Sequence, residues 1–83
     1  MLVTNLTSPR SGRPVANQYC IIMDDGSRIF QSYNSIICKV KPMQEIEVAQ
    51  DAWLSRTTKK YLAVFLGISV KDLNSLLPNV KRF

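Results

Sequence analysis

Six basic side chains crowd the last third of this chain. Arg56, Lys59, Lys60, Lys71, Lys81 and Arg82 fall between Leu54 and Phe83, against Asp72 alone. From Met1 to Trp53, five basic residues (Arg10, Arg13, Arg28, Lys39, Lys41) balance five acidic ones (Asp24, Asp25, Glu45, Glu47, Asp51). The whole net charge of +5 therefore sits in the last 30 residues. Such asymmetry suits a face that meets an anionic partner, and it equally suits a solvated surface that keeps a small protein soluble.

Other chemistry is largely excluded. The chain contains no histidine, which removes the commonest general base and the commonest metal ligand. Two cysteines, Cys20 and Cys38, are too few for a structural zinc site without histidine. Both lie in apolar runs and read as buried free thiols, with a bridge between adjacent strands as the alternative. Asp24-Asp25-Gly26 reads as a hairpin turn, although the two carboxylates can in principle hold a cation. Glu45 and Glu47 lack a partner carboxylate at a defensible acid/base spacing. The glycines stand singly, so no phosphate-cradling loop exists. We expect no enzymatic activity, no metal and no cofactor.

The elements that must position the basic residues follow from periodicity. At 83 residues, with 46% hydrophobic and 20% charged side chains, the chain is one small globular domain. Residues 1–16 carry Ser8-Pro9-Arg10-Ser11-Gly12-Arg13-Pro14 and read as a flexible N-terminal arm, with Arg10 and Arg13 able to meet phosphate. Residues 17–83 read as a single α+β domain. Gln18–Met23 and Arg28–Tyr33 are expected strands joined by the Gly26 turn. Ile36–Lys41 is a third, with Ile36, Cys38 and Val40 on one face and Lys39 and Lys41 on the other. Glu45–Val48 alternates as a fourth, with Ile46 and Val48 inward. The pattern then turns helical: Leu62, Phe65 and Leu66 mark a helix stopped by Gly67. A second helix follows, with a Leu73, Leu76 and Leu77 stripe and a stop at Pro78. The expected fold class is a small antiparallel sheet of three to four strands followed by two C-terminal helices packed on it.

The stretch Lys59–Leu77 resembles a helix-turn-helix. Ala63 is the small residue that admits a close second helix, Gly67 makes the turn, and Leu62, Leu66, Ile68, Leu73 and Leu76 fill the seam. On that resemblance Ser69–Leu77 is the recognition helix and presents Lys71, Asp72, Asn74 and Ser75. Asparagine suits adenine, and lysine suits guanine or phosphate. Arg56, Lys59, Lys60, Lys81 and Arg82 would then neutralise backbone phosphates. The alternative is a plain helical hairpin packing its leucines on the sheet. Trp53, Tyr61 and Phe65 read as core aromatics. Tyr19, Phe30 and Tyr33 with Arg28 either pack under the helices or form an exposed stacking face for single strands.

Gly12–Tyr19, Gly26 and Phe30-Gln31-Ser32-Tyr33-Asn34-Ser35-Ile36-Ile37 together resemble a family of small uncharacterised domains encoded by bacteriophages. The likeness continues more loosely through Trp53, Ser55–Tyr61 and Phe65-Leu66-Gly67. It implies action inside a bacterial host and no particular activity. The chain departs from the pattern at Cys38–Pro42 and from Val70 onward.

The composition and the resemblance leave two classes of function. One is a small phage-type nucleic-acid-binding protein using the basic helical pair. The other is a protein-protein interaction module: a phage inhibitor of a host factor, or a minor virion protein. Neither a secretory leader nor a membrane span is legible, so the expected location is cytoplasmic. A homo-oligomer is compatible with both classes.

Overall fold

The computed structural model describes residues 1–52 and 54–83, so Trp53 lies outside the described residues. Nine elements follow one another: β1 (Leu2–Thr7), β2 (Pro14–Ile22), β3 (Arg28–Ser32), β4 (Ser35–Val40), β5 (Ile46–Val48), α1 (Arg56–Leu66), α2 (Val70–Leu76), a single 3-10 turn (Leu77–Asn79) and β6 (Lys81–Arg82). The strands form one sheet in sequence order. β1 to β5 are an antiparallel meander, and β6 returns to lie parallel to β5.

The α+β class with two C-terminal helices is the one expected, but the sheet has six strands, not three to four. Both additional strands lie where composition hides them. β1 reads Leu-Val-Thr-Asn-Leu-Thr, and its alternation is masked by residues that also favour turns. β6 has only two residues, too few for any period. The expectation of an arm at residues 1–16 is corrected as well: this segment is β1, a loop and the start of β2. The breaker residues close that loop. Ser8 Oγ accepts from the amides of Arg10 and Ser11, and Gly12 N–H donates to Ser8 C=O at 2.8 Å.

The turn after β2 is the one the sequence indicates. Met23 N–H donates to Ser27 C=O at 2.8 Å, and Gly26 takes φ 92°. Asp25 accepts the Ser27 amide at 2.8 Å, which holds its carboxyl below the ordinary range. Tyr33, expected at the end of a strand, instead sits in the next turn at φ 54° and is exposed. The expected faces of β4 also change. The pairing slips between Phe30 and Gln31, so Ile37 is the extra residue of a β-bulge. Ile37 is 3% exposed while Ile36 is 37% exposed, the reverse of simple alternation.

The core lies between one sheet face and the helices. Cys20, Phe30, Cys38 and Val48 are successive partners across β2 to β5. Phe65 of α1 stacks on Phe30 with centroids 5.7 Å apart, and the Arg28 guanidinium lies 5.2 Å above the Phe65 ring. Leu62 and Leu73 are fully buried beside them. Of the two readings of the strand aromatics, Phe30 follows the first and packs under α1, while Tyr33 is exposed in the turn. Cys20 and Cys38 are both free and flank Phe30, two strands apart. At about 4.8 Å per strand this exceeds the reach of a disulfide. Burial raises both thiol pKa values, Cys38 to about 12.

Both helix starts are capped by serine. Ser55 Oγ accepts from Thr58 N–H at 3.1 Å, and Ser69 Oγ from Asp72 N–H at 3.1 Å. Gly67, at φ 71°, ends α1: its N–H donates to Val64 C=O, and Ile68 N–H reaches Ala63 C=O at 3.0 Å. That pair of bonds is a Schellman closure.

Two substitutions test this architecture by urea unfolding. Leu62→Ala leaves a cavity under α1 and should cost about 2–5 kcal/mol, a large share of what so small a domain has. A Cβ at Gly67 meets nothing within 4 Å, so Gly67→Ala should cost only the left-handed backbone penalty of about 1–2 kcal/mol.

Candidate nucleic-acid interface

Arg56, Lys59 and Lys60 fall in the first five residues of α1. Arg56 and Lys60 are exposed and Lys59 is half-buried. Their spacing places Arg56 three and four residues before the other two, so all three crowd one end of the helix. The apolar side of α1 (Tyr61, Leu62, Ala63 and Phe65) faces the protein. The cations are thereby left at the edge and on top. Lys60 Nζ lies 5.4 Å from the Tyr61 ring centroid.

This placement opposes the helix's own electrostatics. The N-terminus of a helix carries partial positive charge, and carboxylates stabilise it. α1 has no acidic residue in its first turn and no basic residue in its last. Like charges at i,i+3 and i,i+4 add a further cost of about 0.2–0.5 kcal/mol per pair. The unfilled dipole and three cations together concentrate positive potential where an anion approaches.

α2 contributes from its outer side. Leu73 is buried, Leu76 and Leu77 are half-buried, and Lys71, Asp72, Asn74 and Ser75 are exposed. Asp72 sits in the first turn, where the dipole favours it. Ser75 Oγ bonds back to Lys71 C=O at 3.4 Å, which leaves Asn74 the more available polar side chain. The connection between α1 and α2 is Gly67-Ile68-Ser69, a length that fits a helix-turn-helix. The first helix, however, rests on a sheet, and α2 has seven residues.

The two remaining candidates lie elsewhere. Lys81 and Arg82 belong to β6, not to the helical pair. Lys81 Nζ is 3.2 Å from Glu45 Oε1 and 3.7 Å from Glu47 Oε2. Lys41 joins the same cluster, 3.6 Å from Glu47 and 3.9 Å from Glu45. Arg82 donates to Ala49 C=O at 3.3 Å. Among the described residues, no carboxylate lies within ion-pair distance of Arg56, Lys59, Lys60 or Lys71. The sequence offers a signal for the Lys41–Glu45–Glu47–Lys81 cluster only in part. Glu45 and Glu47 share a strand face, but their partner Lys81 comes from a strand too short to read.

A cleft of about 600 Å³ opens where Tyr33, Ile36, Ile37, Asp51, Thr58 and Phe83 converge. It holds one side-chain carboxylate, Asp51, with the Tyr33 phenol and serine and threonine hydroxyls, and its described lining has no second carboxylate side chain, histidine or cysteine to act with Asp51. Among the described residues no group of three or more potential ligands could hold a metal. No described helix is long and apolar enough to cross a membrane.

A family profile matches residues 3–75, described as a family of unknown function, DUF8033. The chain belongs to this family. The DUF8033 match runs from β1 into α2, so the N-terminal strand and the helical pair lie within one family unit, and β6 lies beyond it. No curated protein and no solved structure matches the chain.

The β6 cluster carries a pH dependence. The Lys81 hydrogen bond, then the charges of Lys81 and Lys41, hold the Glu45 carboxyl below 4.5. The same bond, then the charges of Glu45 and Glu47, raise Lys81 above 10.5. Glu45's contribution is thus complete above its unfolded pKa and lost as pH falls through the lowered one. Lys81's is complete below 10.5 and lost as pH rises through the raised one. Both groups are solvent-exposed, so the effect is local. Phe83 N–H donates to Val48 C=O at 3.1 Å and reports on it. Its exchange protection should drop below about pH 4 relative to neutral pH, and Glu45→Gln should give the low value at both.

Proposed function

We propose that this DUF8033 protein is a nucleic-acid-binding protein, without catalytic activity, that uses the solvent faces of α1 and α2. One observation carries the reading: Arg56, Lys59, Lys60 and Lys71 stand without carboxylate partners on the helices, whereas Lys41 and Lys81 at the sheet edge are held by Glu45 and Glu47. Three of those four cations also weaken the helix that bears them. A merely solubilising surface has no need of that arrangement. Phosphate binding accounts for it, because helix-terminal amides and cations act together on an anion.

In this reading Arg56, Lys59, Lys60 and Lys71 take the phosphates and set orientation. Asn74, on the outer side of α2, is the side chain placed to read a base edge, adenine above all. Lys81 and Arg82 are peripheral. The likeness to small phage-encoded domains makes a phage or host nucleic acid in a bacterial cytoplasm the setting.

Binding should weaken steeply with salt, with a log–log slope of about −3 to −4 on duplex DNA if four phosphates are neutralised. A mobility-shift titration at two salt concentrations measures it. Lys59→Glu, Lys60→Glu and Lys71→Glu together should abolish the shift. Arg56→Glu separates function from structure. It places a carboxylate in the first turn of α1, so thermal stability should rise, by about 0.3–1 kcal/mol, while affinity falls. Binding that ignores salt and survives these changes would favour the other class, a module that grips a host or virion protein.

A further inference from the structure

We propose that β1 is the contact through which two copies of this chain pair, edge to edge, into one continuous antiparallel sheet. The outermost strand of an antiparallel sheet turns alternate N–H and C=O groups away from its neighbour. Among the described residues no strand lies on the outer side of β1. Such edges are commonly guarded by lysine, proline, inward charge, bulges or brevity. Leu2-Val3-Thr4-Asn5-Leu6-Thr7 contains neither charge nor proline. The irregularity in its pairing with β2 falls only between Asn5 and Thr7, so Leu2–Asn5 is a regular, open stretch.

The occupant is specified by three features. First, the outward backbone groups present the pattern that another strand pairs with. Second, the edge is neutral within a chain of net charge +5. The ammonium of Met1 is itself paired with Asp24. A second copy can approach here without setting like charges opposite each other. Third, the other end of the sheet is β6, two residues long and basic, with Lys81 tied to Glu45 and Glu47. That short, basic edge offers no comparable stretch, so pairing through β1 is isologous and closes at two copies.

Apolar surface accompanies the backbone groups. Leu2 is 56% and Val3 51% exposed. Val3 is in register with Ile21 of β2, and Ile21 with Ile29 of β3; both isoleucines are half-buried. A second β1 laid against the first covers Val3 and lengthens this stripe across the junction.

Sedimentation of the full chain from low micromolar to millimolar concentration tests the proposal, read beside the Val3→Lys/Asn5→Lys double variant. The wild type should reach twice its monomer mass. The variant should stay monomeric with an unchanged far-ultraviolet circular dichroism spectrum. A wild type monomeric at every concentration, or a folded variant that still dimerises, overturns the proposal. Should the variant not fold, hydrogen exchange of the wild type decides. Protection of the residue 2–5 amides must rise with concentration while that of Phe83 does not; unchanged protection at β1 overturns it. The outcome is independent of nucleic-acid binding, which the salt titration reads separately.

Discussion

The stacking of Phe65 on Phe30 is the contact on which the rest of the arrangement depends. It joins the middle strand of the meander to the longer of the two described helices, and it fixes which side of α1 faces inward. Once Tyr61, Leu62, Ala63 and Phe65 are turned to the sheet, the positions of Arg56 and Lys60 follow from helix geometry alone. The Arg28 guanidinium also lies over the Phe65 ring. Among the described residues, Phe30, Leu62, Leu73, Val48 and Cys38 are the essentially inaccessible side chains that share that task.

The helical third was legible in the sequence because its signals are redundant. Leucine periodicity, serine caps and a glycine stop agree about Ser55–Leu77, and each has a direct physical cause. The sheet was legible only where alternation was undisturbed. β1 was hidden because Thr and Asn serve strands and turns alike, and its pairing partner lies some fifteen residues away in β2. Ile37 was misplaced because a bulge is a property of a strand pair, which one strand's sequence does not contain. β6 exists only because Phe83 and Lys81 find Val48 and Glu45 after two helices have brought them back. The candidate site divides along the same line: the six helical positions were readable, and the pairing that sets Lys81 apart from them was not.

Net charge alone did not distinguish a binding face from a solubilising one. The division of cations does more. Lys41 and Lys81 sit between two glutamates, where they hold a two-residue strand against the sheet. Such exposed pairs contribute little energy individually, but they cancel the potential of that edge. The cations on α1 have no such partners among the described residues, and they add to the helix dipole instead of offsetting it. A surface that lowers its own helix stability while raising its potential is more economically explained by a polyanion than by solubility, which residues at the other end of α1 could supply at no cost.

Edge pairing and the basic helices bear on each other through symmetry. Two antiparallel strands joined in one sheet are related by a two-fold axis perpendicular to that sheet, so the same face of each copy points the same way. α1 and α2 of both copies would then stand on one side, leaving the opposite face of the doubled sheet uncovered by helices. Duplex DNA has its own two-fold axes, and paired helical readers match half-sites about one helical turn apart. On the proposed reading a single copy, with four unpaired cations on its helices and a recognition segment of two turns, would give only modest, salt-sensitive affinity. Two copies held by β1 would present both faces to one duplex, and the second engagement would proceed at the effective concentration set by the rigid sheet. The shortness of α2 is then a weakness of the monomer that pairing offsets.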